Sequence, residues 1–320
     1  MAPRIVMLGT GDFALPTFEH LCAAGLPVVA LCTQPDRPQG RKQELVPSRI
    51  KLAALARGVP VEQPENVNAP ESVAVLRSYE PDLLVTAAYG QILSPELLAV
   101  PRLRAINLHG SILPSYRGAA PVARAIERGE TEAGVTVIEM SPRIDAGGML
   151  AVARTPIDPD ETAGALEDRL AMLGAPLVLE TIRALLDGKA RVIPQVKSKV
   201  SRAPKLNKDE GRVDWSLAAR AVHNHIRAMQ PWPIAWTDWS PAANPDAKTR
   251  VIVHVSRVVD DDASAGVEPG VVTIADGSNL VAAAGRGLVG LVRLQIPGKK
   301  ILDAEEFLRG RRVQPGDRFV

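Results

Sequence analysis

Short apolar stretches alternate with helix-like stretches along the first 190 residues of the chain. Apolar runs of this length, bounded by glycine, proline and polar residues, are typical of buried β-strands. They predict strands over residues 4–8, 28–32, 83–87, 105–108, 135–140 and 149–157. Leucines at helical spacing (Leu166, Leu170, Leu173 and Leu177) predict a long helix over residues 162–187. The alternation predicts an α/β fold, a Rossmann-like doubly wound and mostly parallel sheet with helices on both faces.

The second part of the chain has a different pattern. A helix-like stretch over residues 215–229 precedes short β-like runs at residues 250–259, 270–274, 279–283 and 288–295. Short strands separated by glycine, proline and aspartate are typical of a small antiparallel barrel, here of OB-like type. Between the two patterns, residues 190–208 contain prolines and basic residues but no acidic residue, so we expect an exposed connector.

The length agrees with two domains, since 320 residues exceed the roughly 150 residues of a typical domain about twofold. The patterns place a Rossmann-like domain at residues 1–189, a basic linker at residues 190–208 and an OB-like domain at residues 209–320. Each domain is long enough to bury a core of its own.

Composition and charge narrow the class of protein. A hydrophobic content of 46% and a charged content of 23% are ordinary for a globular protein and exclude disordered and fibrous classes. The sequence has no window of 18 uncharged apolar residues and no leader-like start, so we expect a cytoplasmic protein that does not bind membranes. Residues 191–320 contain 20 basic and 14 acidic residues and would attract a polyanion. The two cysteines, Cys22 and Cys32, lack the spacing of a zinc site, and we expect no metal.

One motif is typical of nucleotide binding. The stretch GTGDFA at residues 9–14 matches the glycine-rich turn of dinucleotide-binding folds. In those folds an acidic residue ends the second strand and binds the ribose, whereas this strand is followed by Thr33 and Gln34, with Asp36 further on. The alternative interpretation is that the glycines only permit a tight strand-to-helix turn.

Candidate catalytic residues lie where predicted strands end, which is where ligands bind in open α/β sheets. Asn107 and His109 are two residues apart in an extended segment, so their side chains face the same side. An amide N–H and an imidazole N–H can both donate to an oxyanion, as acyl transfer requires. Asp145 follows the next predicted strand and could orient the imidazole. From spacing alone, a structural histidine is the alternative.

Longer motifs around these residues resemble a known family. The stretches NLHGSILPSYRGAAP at residues 107–121 and GVTVIEMSPRIDAGG at residues 134–148 are similar to the signature of the 10-formyltetrahydrofolate-dependent formyltransferases. The resemblance implies that Asn107, His109 and Asp145 form the catalytic group. It also implies that 10-formyltetrahydrofolate donates the formyl group without the help of a metal.

Further motifs indicate the acceptor. The stretches GTGDFALPTF, TQPDRPQGRK, AAYGQIL, IRAMQPWPIAW and PGKK resemble those family members that formylate the α-amino group of initiator methionyl-tRNA for translation initiation. In these members the linker and the C-terminal domain bind tRNA, and the resemblance implies a monomer without a stable protein partner. The implied folate-binding residues are Tyr89, Gly90, Ile92, Ser111, Ile112, Leu113 and Pro114, and the implied tRNA-binding residues are Arg41, Lys42 and Lys205.

Two alternative functions stay open from the sequence. Family members that formylate an amino-sugar nucleotide have a related second domain and a PWP element. A non-catalytic RNA-binding protein with the same fold is the alternative of another class.

The chain also departs from the family at Gln43 and Glu44, where basic residues are common, so we expect fewer tRNA contacts there. We expect Arg117 to tie its loop to neighbouring acceptors, with phosphate binding as the alternative.

Overall fold

The computed structural model describes residues 2–39, 44–263 and 266–320 of the chain. The chain divides into two compact units. The first comprises Met1–Pro121, Glu132–Thr155 and Glu167–Pro204, and the second comprises Val122–Thr131, Pro156–Leu166 and Lys205–Val320. Two short segments of the N-terminal half therefore belong with the C-terminal residues. The limits expected from the sequence, 1–189, 190–208 and 209–320, stay a prediction.

The first 204 residues contain most of the helices and the parallel strands. The strands are β1 (Ile5–Gly9), β2 (Val28–Cys32), β3 (Arg37–Gln39), β4 (Glu44–Val46), β5 (Val61–Glu62), β6 (Leu83–Ala87), β7 (Arg104–His109), β8 (Arg117–Gly118), β9 (Glu132–Glu139), β10 (Met149–Pro156) and β11 (Arg202–Ala203). The helices are α1 (Leu15–Ala23), α2 (Arg49–Ala56), α3 (Pro70–Ser78), α4 (Pro95–Leu98), α5 (Pro121–Glu127) and α6 (Ala163–Leu186). They include the long helix expected from the leucine spacing.

The main sheet of the first unit has the strand order β10-β9-β7-β6-β1-β2-β5. Its strands from β7 to β5 are parallel, and β9 joins β7 in the antiparallel direction. The prediction of a doubly wound, mostly parallel sheet is therefore confirmed. Strands β1 and β6 are buried along their whole length, which explains why their sequences are apolar except for Thr86. Because the order reverses between β1 and β6, a crevice for ligands is expected at the carboxyl ends of these strands.

An apolar core holds the strands that carry the candidate site. Val6 and Leu8 of β1, Leu84 of β6 and Leu97 of α4 belong to one cluster of buried side chains. Burying a side chain of this size stabilises a protein by roughly 1.5–3 kcal/mol relative to leaving it exposed. Strands β1 and β6 thus share one buried core.

The second unit contains an antiparallel barrel. Its elements beyond residue 205 are α7 (Ala219–Ala228), β12 (Ala235–Ser240), β13 (Thr249–Asp260), β14 (Val272–Asp276), β15 (Asn279–Ala283), β16 (Leu288–Gln295), β17 (Ile301–Asp303), α8 (Ala304–Gly310) and β18 (Arg318–Phe319). The strand order is β14-β15-β16-β13-β12-β18, and β17 pairs with β16. An antiparallel bridge between Val271 and Arg318 brings the two ends of this order together. The predicted small antiparallel barrel is confirmed and is nearly closed.

Buried polar side chains of α7 hold the segment Pro156–Leu166 in the second unit. Arg227 is 6% exposed and donates hydrogen bonds to the carbonyl oxygens of Asp158 at 3.3 Å and Glu161 at 2.8 Å. The Nε2 atom of His223 lies 3.1 Å from the carbonyl oxygen of Pro159. These contacts explain why a segment distant in sequence belongs to the C-terminal unit.

The connector between the two sequence patterns is more ordered than expected. Most residues of the range 190–208 are exposed, as predicted. However, Ile193 forms an antiparallel bridge with Met149, and β11 pairs in parallel with β8. The connector therefore packs along the loops that follow β7 and β9.

Candidate active site

The side chain of Asn107 is oriented by a neighbouring strand. The register of β6 and β7 places Thr86 beside Asn107, and the Thr86 hydroxyl donates a hydrogen bond to Oδ1 of Asn107 at 2.6 Å. An amide whose oxygen accepts this bond has its Nδ2 hydrogens directed away from Thr86. Asn107 thus presents N–H donors at the end of β7.

His109 lies on the same face of β7 as Asn107 because strand side chains alternate. It is 6% exposed, and its Nε2 lies 2.9 Å from the carbonyl oxygen of Tyr116. A carbonyl oxygen only accepts hydrogen bonds, so Nε2 carries a proton. The other ring nitrogen, Nδ1, is 3.6 Å from Oδ2 of Asp145, which is an ion-pair distance rather than a hydrogen bond.

The loop that carries Asp145 is held from two sides. The backbone N–H of Gly118 donates to Oδ2 of Asp145 at 2.9 Å, and the side-chain amide of Gln195 donates to the Asp145 carbonyl oxygen at 2.8 Å. Asp145 has a φ of 48°, a conformation that non-glycine residues rarely adopt. Next to it, a Cβ on Gly147 would overlap the carbonyl oxygen of Glu139, so the loop can approach β9 this closely only with glycine.

The segment between β7 and β8 forms a compact loop. Ser111 is 4% exposed and donates its hydroxyl proton to the carbonyl oxygen of Ser115 at 2.7 Å. The Thr136 hydroxyl accepts from the Leu113 N–H at 3.1 Å and donates to the Ser111 carbonyl oxygen at 2.7 Å. Leu113 is buried, Ile112 and Pro114 are half-buried, and the Leu113–Pro114 peptide is cis. The four candidate folate residues of this loop therefore lie together in one ordered turn.

The other candidate folate residues lie in the loop after β6. Gly90 and Ile92 are exposed there, and Gly90 has a φ of 87°. The side chain of Tyr89 is instead buried in the core, with its hydroxyl 3.2 Å from Sγ of Cys32. Burial raises the pKa of the Cys32 thiol to about 11 and also raises the pKa of Tyr89, so both side chains stay neutral near pH 7. Only the backbone of Tyr89 can face a ligand here.

One of the candidate tRNA residues lies in the described part of the chain. Lys205 is exposed and belongs to the second unit. Arg41 and Lys42 lie outside the described residues.

Arg117 binds a side-chain amide. Its guanidinium donates to Oε1 of Gln195 through Nε at 3.0 Å and through Nη2 at 2.7 Å. This agrees with the expected role of tying its loop to a neighbouring acceptor.

Metal clusters and membrane-spanning helices are absent from the described residues. Within them, no group of three or more His, Cys, Asp or Glu side chains is placed to hold a metal ion. None of the helices among the same residues is long and apolar enough to cross a membrane.

Two polar residues of the site were not predicted from the sequence. Thr86 is a single hydroxyl in the otherwise apolar strand LLVTA, and this break in the apolar pattern is a signal that could have identified it. Gln195 lies in the connector, about 50 residues from Asp145 in the chain, and no local pattern distinguishes it.

Two family models match the chain. Residues 3–182 match the model described as "Formyl transferase", and residues 205–312 match "Formyl transferase, C-terminal domain". The methionyl-tRNA formyltransferase of Geobacillus thermodenitrificans is 41% identical over 308 residues, which cover 96% of this chain and 94% of the relative. That of Aromatoleum aromaticum is 42% identical over 316 residues, which cover 99% and 96%.

A solved structure has a similar fold. The N-formyltransferase from Helicobacter canadensis, in complex with folinic acid and dTDP-3-aminofucose, aligns with a TM-score of 0.65 at 16% identity and covers 91% of this chain and 99% of that one. At this identity the likeness concerns the fold alone. The matches to both family models and the similarity over nearly the full length of the relatives agree with each other. The chain therefore belongs to the formyl transferase family, together with relatives named methionyl-tRNA formyltransferase.

Proposed function

We propose that the chain transfers the formyl group of 10-formyltetrahydrofolate to the α-amino group of initiator methionyl-tRNA, in the cytoplasm, as a step that precedes translation initiation. The proposal depends mainly on one observation: Asn107, His109 and Asp145 lie together at the carboxyl end of β7 in a chain about 40% identical to methionyl-tRNA formyltransferases. The structurally similar N-formyltransferase that binds folinic acid supports a folate-type donor.

The reaction needs no covalent enzyme intermediate. A free α-amine has a pKa of about 7.7–8.0, so part of it is unprotonated near neutral pH and can attack directly. The nitrogen lone pair forms a bond to the formyl carbon, and the electrons of the C=O bond move to the oxygen. The bond from this carbon to N10 then breaks, and the proton lost by the amine ends on N10. Negative charge on the former carbonyl oxygen is what the protein must stabilise.

Each catalytic candidate has a role that follows from its contacts. The Nδ2 hydrogens of Asn107, directed away from Thr86, donate to the oxyanion. The Nε2 proton of His109 is donated to Tyr116, so a second donor to the oxyanion comes from Nδ1, which carries a proton in the imidazolium form. Asp145 faces this nitrogen, balances the positive charge and accepts the proton of the attacking amine on its way to N10.

We propose that the two loops beside β7 bind the donor. Ser111, Ile112, Leu113 and Pro114 form one wall, and the backbone of Tyr89 with Gly90 and Ile92 forms the other. Ordered backbone groups on half-buried loops are suited to a flat heterocycle such as a pterin, because they supply both donors and acceptors.

We propose that tRNA is bound by Arg41, Lys42 and Lys205, by the linker at residues 190–208 and by the domain at residues 209–320. The excess of basic residues in the C-terminal part supports this. Lys205→Ala should raise the KM for tRNA and reduce the salt dependence of binding by about one phosphate contact. Lys189→Ala, which removes an exposed lysine paired with Asp187, is the matched control. We further propose that the enzyme acts as a monomer, which sedimentation can test.

The acceptor is tested by a direct assay. The protein is incubated with 10-formyltetrahydrofolate and with either initiator methionyl-tRNA or a dTDP-amino sugar, and the formylated product is measured. We expect formylation of the tRNA only. Formylation of the sugar nucleotide would show that the sugar nucleotide, and not the tRNA, is the acceptor. Binding of tRNA without any formyl transfer would indicate a non-catalytic RNA-binding protein.

The catalytic residues are tested in the same assay. Asn107→Ala, His109→Ala and Asp145→Asn should each lower kcat by about 10²–10³, which is the usual loss on removing one oxyanion donor or its charge partner. His20→Ala, on α1, is the control and should retain full activity. Near-normal turnover in any of the three variants would remove that residue from the proposed group.

A further inference from the structure

We propose that Gln195 is a positioning residue for formyl transfer, which holds the Asp145 loop in its working geometry by linking it to Arg117. This inference rests on the proposed function. Gln195 belongs to the connector, for which the sequence indicated only exposure and positive charge. In the range 191–200, which the structure describes completely, it is the one side chain that is not exposed.

Every donor and acceptor of the Gln195 side-chain amide is occupied. Its Nε2 donates to the carbonyl oxygens of Asp145 and Gly147, both at 2.8 Å. Its Oε1 accepts two bonds from the Arg117 guanidinium, at 3.0 Å and 2.7 Å. An amide has two N–H donors and two lone pairs, and all four are used. The side-chain amide therefore has a single orientation, and a flip that interchanges Oε1 and Nε2 would break all four hydrogen bonds.

The two ends of this link converge on one carboxylate. Arg117 holds Gln195, and Gln195 holds the Asp145 carbonyl oxygen. The next residue, Gly118, donates its N–H directly to Oδ2 of Asp145. The dipeptide of β8 thus fixes Asp145 at its backbone and at its carboxylate. Oδ2 is also the atom that faces Nδ1 of His109.

Apolar packing contributes little to the outer part of this loop. Pro142, Arg143 and Ile144 are exposed, so apolar packing does not fix the backbone before Asp145. Asp145 itself has the unfavourable φ of 48°, which persists only where neighbouring contacts maintain it. Without the two bonds from Gln195, the carboxylate would move relative to His109. A displacement of about 1 Å in a catalytic group can cost about 10²-fold in rate.

The experiment compares Gln195 variants in the formyl-transfer assay. Gln195→Leu keeps the bulk and removes both donors. Gln195→Glu keeps an acceptor for Arg117 but places a carboxylate oxygen against the two carbonyl oxygens. We expect both variants to lower kcat by about 10- to 100-fold, with the KM for tRNA changed less than about threefold. Lys189→Ala, an exposed residue of the same unit that lies outside the linker, is the control and should match the wild type in kcat.

A second measurement separates positioning from general stabilisation. If Gln195 acts through Asp145, then Gln195→Leu should have less than about a twofold effect in the Asp145→Asn background, because the two losses are not additive. An equal effect in both backgrounds would overturn the proposal, as would a wild-type kcat in either Gln195 variant. If neither variant folds, Gln195 is a stability residue and the proposal fails. A wild-type protein that formylates neither acceptor refutes the proposed function, whereas an active wild type with unaffected variants refutes the positioning role alone.

Discussion

Replacing Thr86 by valine should impair catalysis without altering the pocket. Thr86 is 2% exposed, and valine has nearly the same shape but no hydroxyl. The Thr86 hydroxyl oxygen lies 2.6 Å from Oδ1 of Asn107 and 3.2 Å from the Ile106 carbonyl oxygen, so its single proton is shared mainly with Asn107. The replacement therefore removes the bond that determines which end of the Asn107 amide faces the substrate.

The size of the effect follows from one buried hydrogen bond. Such a bond contributes about 0.5–1.5 kcal/mol net, which corresponds to roughly a 2- to 13-fold change in an equilibrium. In the variant, the Asn107 amide also populates the orientation that points its oxygen at the developing oxyanion, which cannot support the reaction. We therefore expect kcat to fall by about 3- to 10-fold. This is well below the loss of about 10²–10³ expected when the Asn107 donor is removed altogether.

The assay is steady-state formylation of methionyl-tRNA at saturating 10-formyltetrahydrofolate. Thr86→Val should lower kcat and leave the KM of both substrates within about twofold, because the hydroxyl orients the Asn107 amide, which stabilises the transition state. Thr86→Ser retains the hydroxyl and is the matched control, with a kcat near that of the wild type. The reasoning is refuted if Thr86→Val keeps the wild-type kcat, or if Thr86→Ser loses as much as Thr86→Val.

The other predictions concern stability. Gly147→Ala should destabilise the protein by about 2 kcal/mol in urea unfolding and reduce activity, because its Cβ overlaps the Glu139 carbonyl oxygen; an unchanged midpoint would contradict this. Arg227→Met should cost about 2 kcal/mol, since it removes two hydrogen bonds from a buried guanidinium to the carbonyl oxygens of Asp158 and Glu161, and Arg220→Met, in an exposed ion pair, is the control. Burial lowers the pKa of His223, so the unfolded chain takes up its proton first as the pH falls below about 6.5 and folded stability is lost there. The Tm of the wild type should therefore decrease more between pH 7 and pH 5 than the Tm of His223→Gln, and equal slopes would show that His223 is not responsible.

Much of the fold follows from local sequence pattern. Strands β2, β6, β15 and β16 have the predicted limits. In the main sheet, the limits of β1, β7, β9 and β10 differ by a few residues, and the two-residue strand β5 was not predicted. Strand β12 was not predicted, because its sequence AWTDWS lies between prolines that break the pattern on both sides. Strand β18 has only two residues, yet it pairs with β12 and contributes to the closure of the barrel. Such short strands form because distant segments pair, and local periodicity carries no information about that pairing.

The candidate site was predictable to a similar degree. Asn107 and His109 could be identified because strand periodicity places them on one face, and Asp145 because it follows the next predicted strand. The family resemblance implied the same three residues. To identify Thr86 one needs the register between β6 and β7. To identify Gln195 one needs to know where the connector returns to the sheet. The side chain of Tyr89 shows the reverse case, in which motif similarity suggests a ligand contact but the geometry buries the side chain with Cys32.

The two units are built from separate segments of the chain, which affects how the chain can be truncated and how it folds during synthesis. The polypeptide passes between the units at residues 121–122, 131–132, 155–156, 166–167 and 204–205. A fragment that starts at residue 205 would lack the segment that Arg227 and His223 bind, and these two side chains would lose their hydrogen bonds to its carbonyl oxygens. During synthesis, the segments Val122–Thr131 and Pro156–Leu166 emerge before the residues they pack with, so the C-terminal unit can be completed only after the residues up to Val320 have been synthesised.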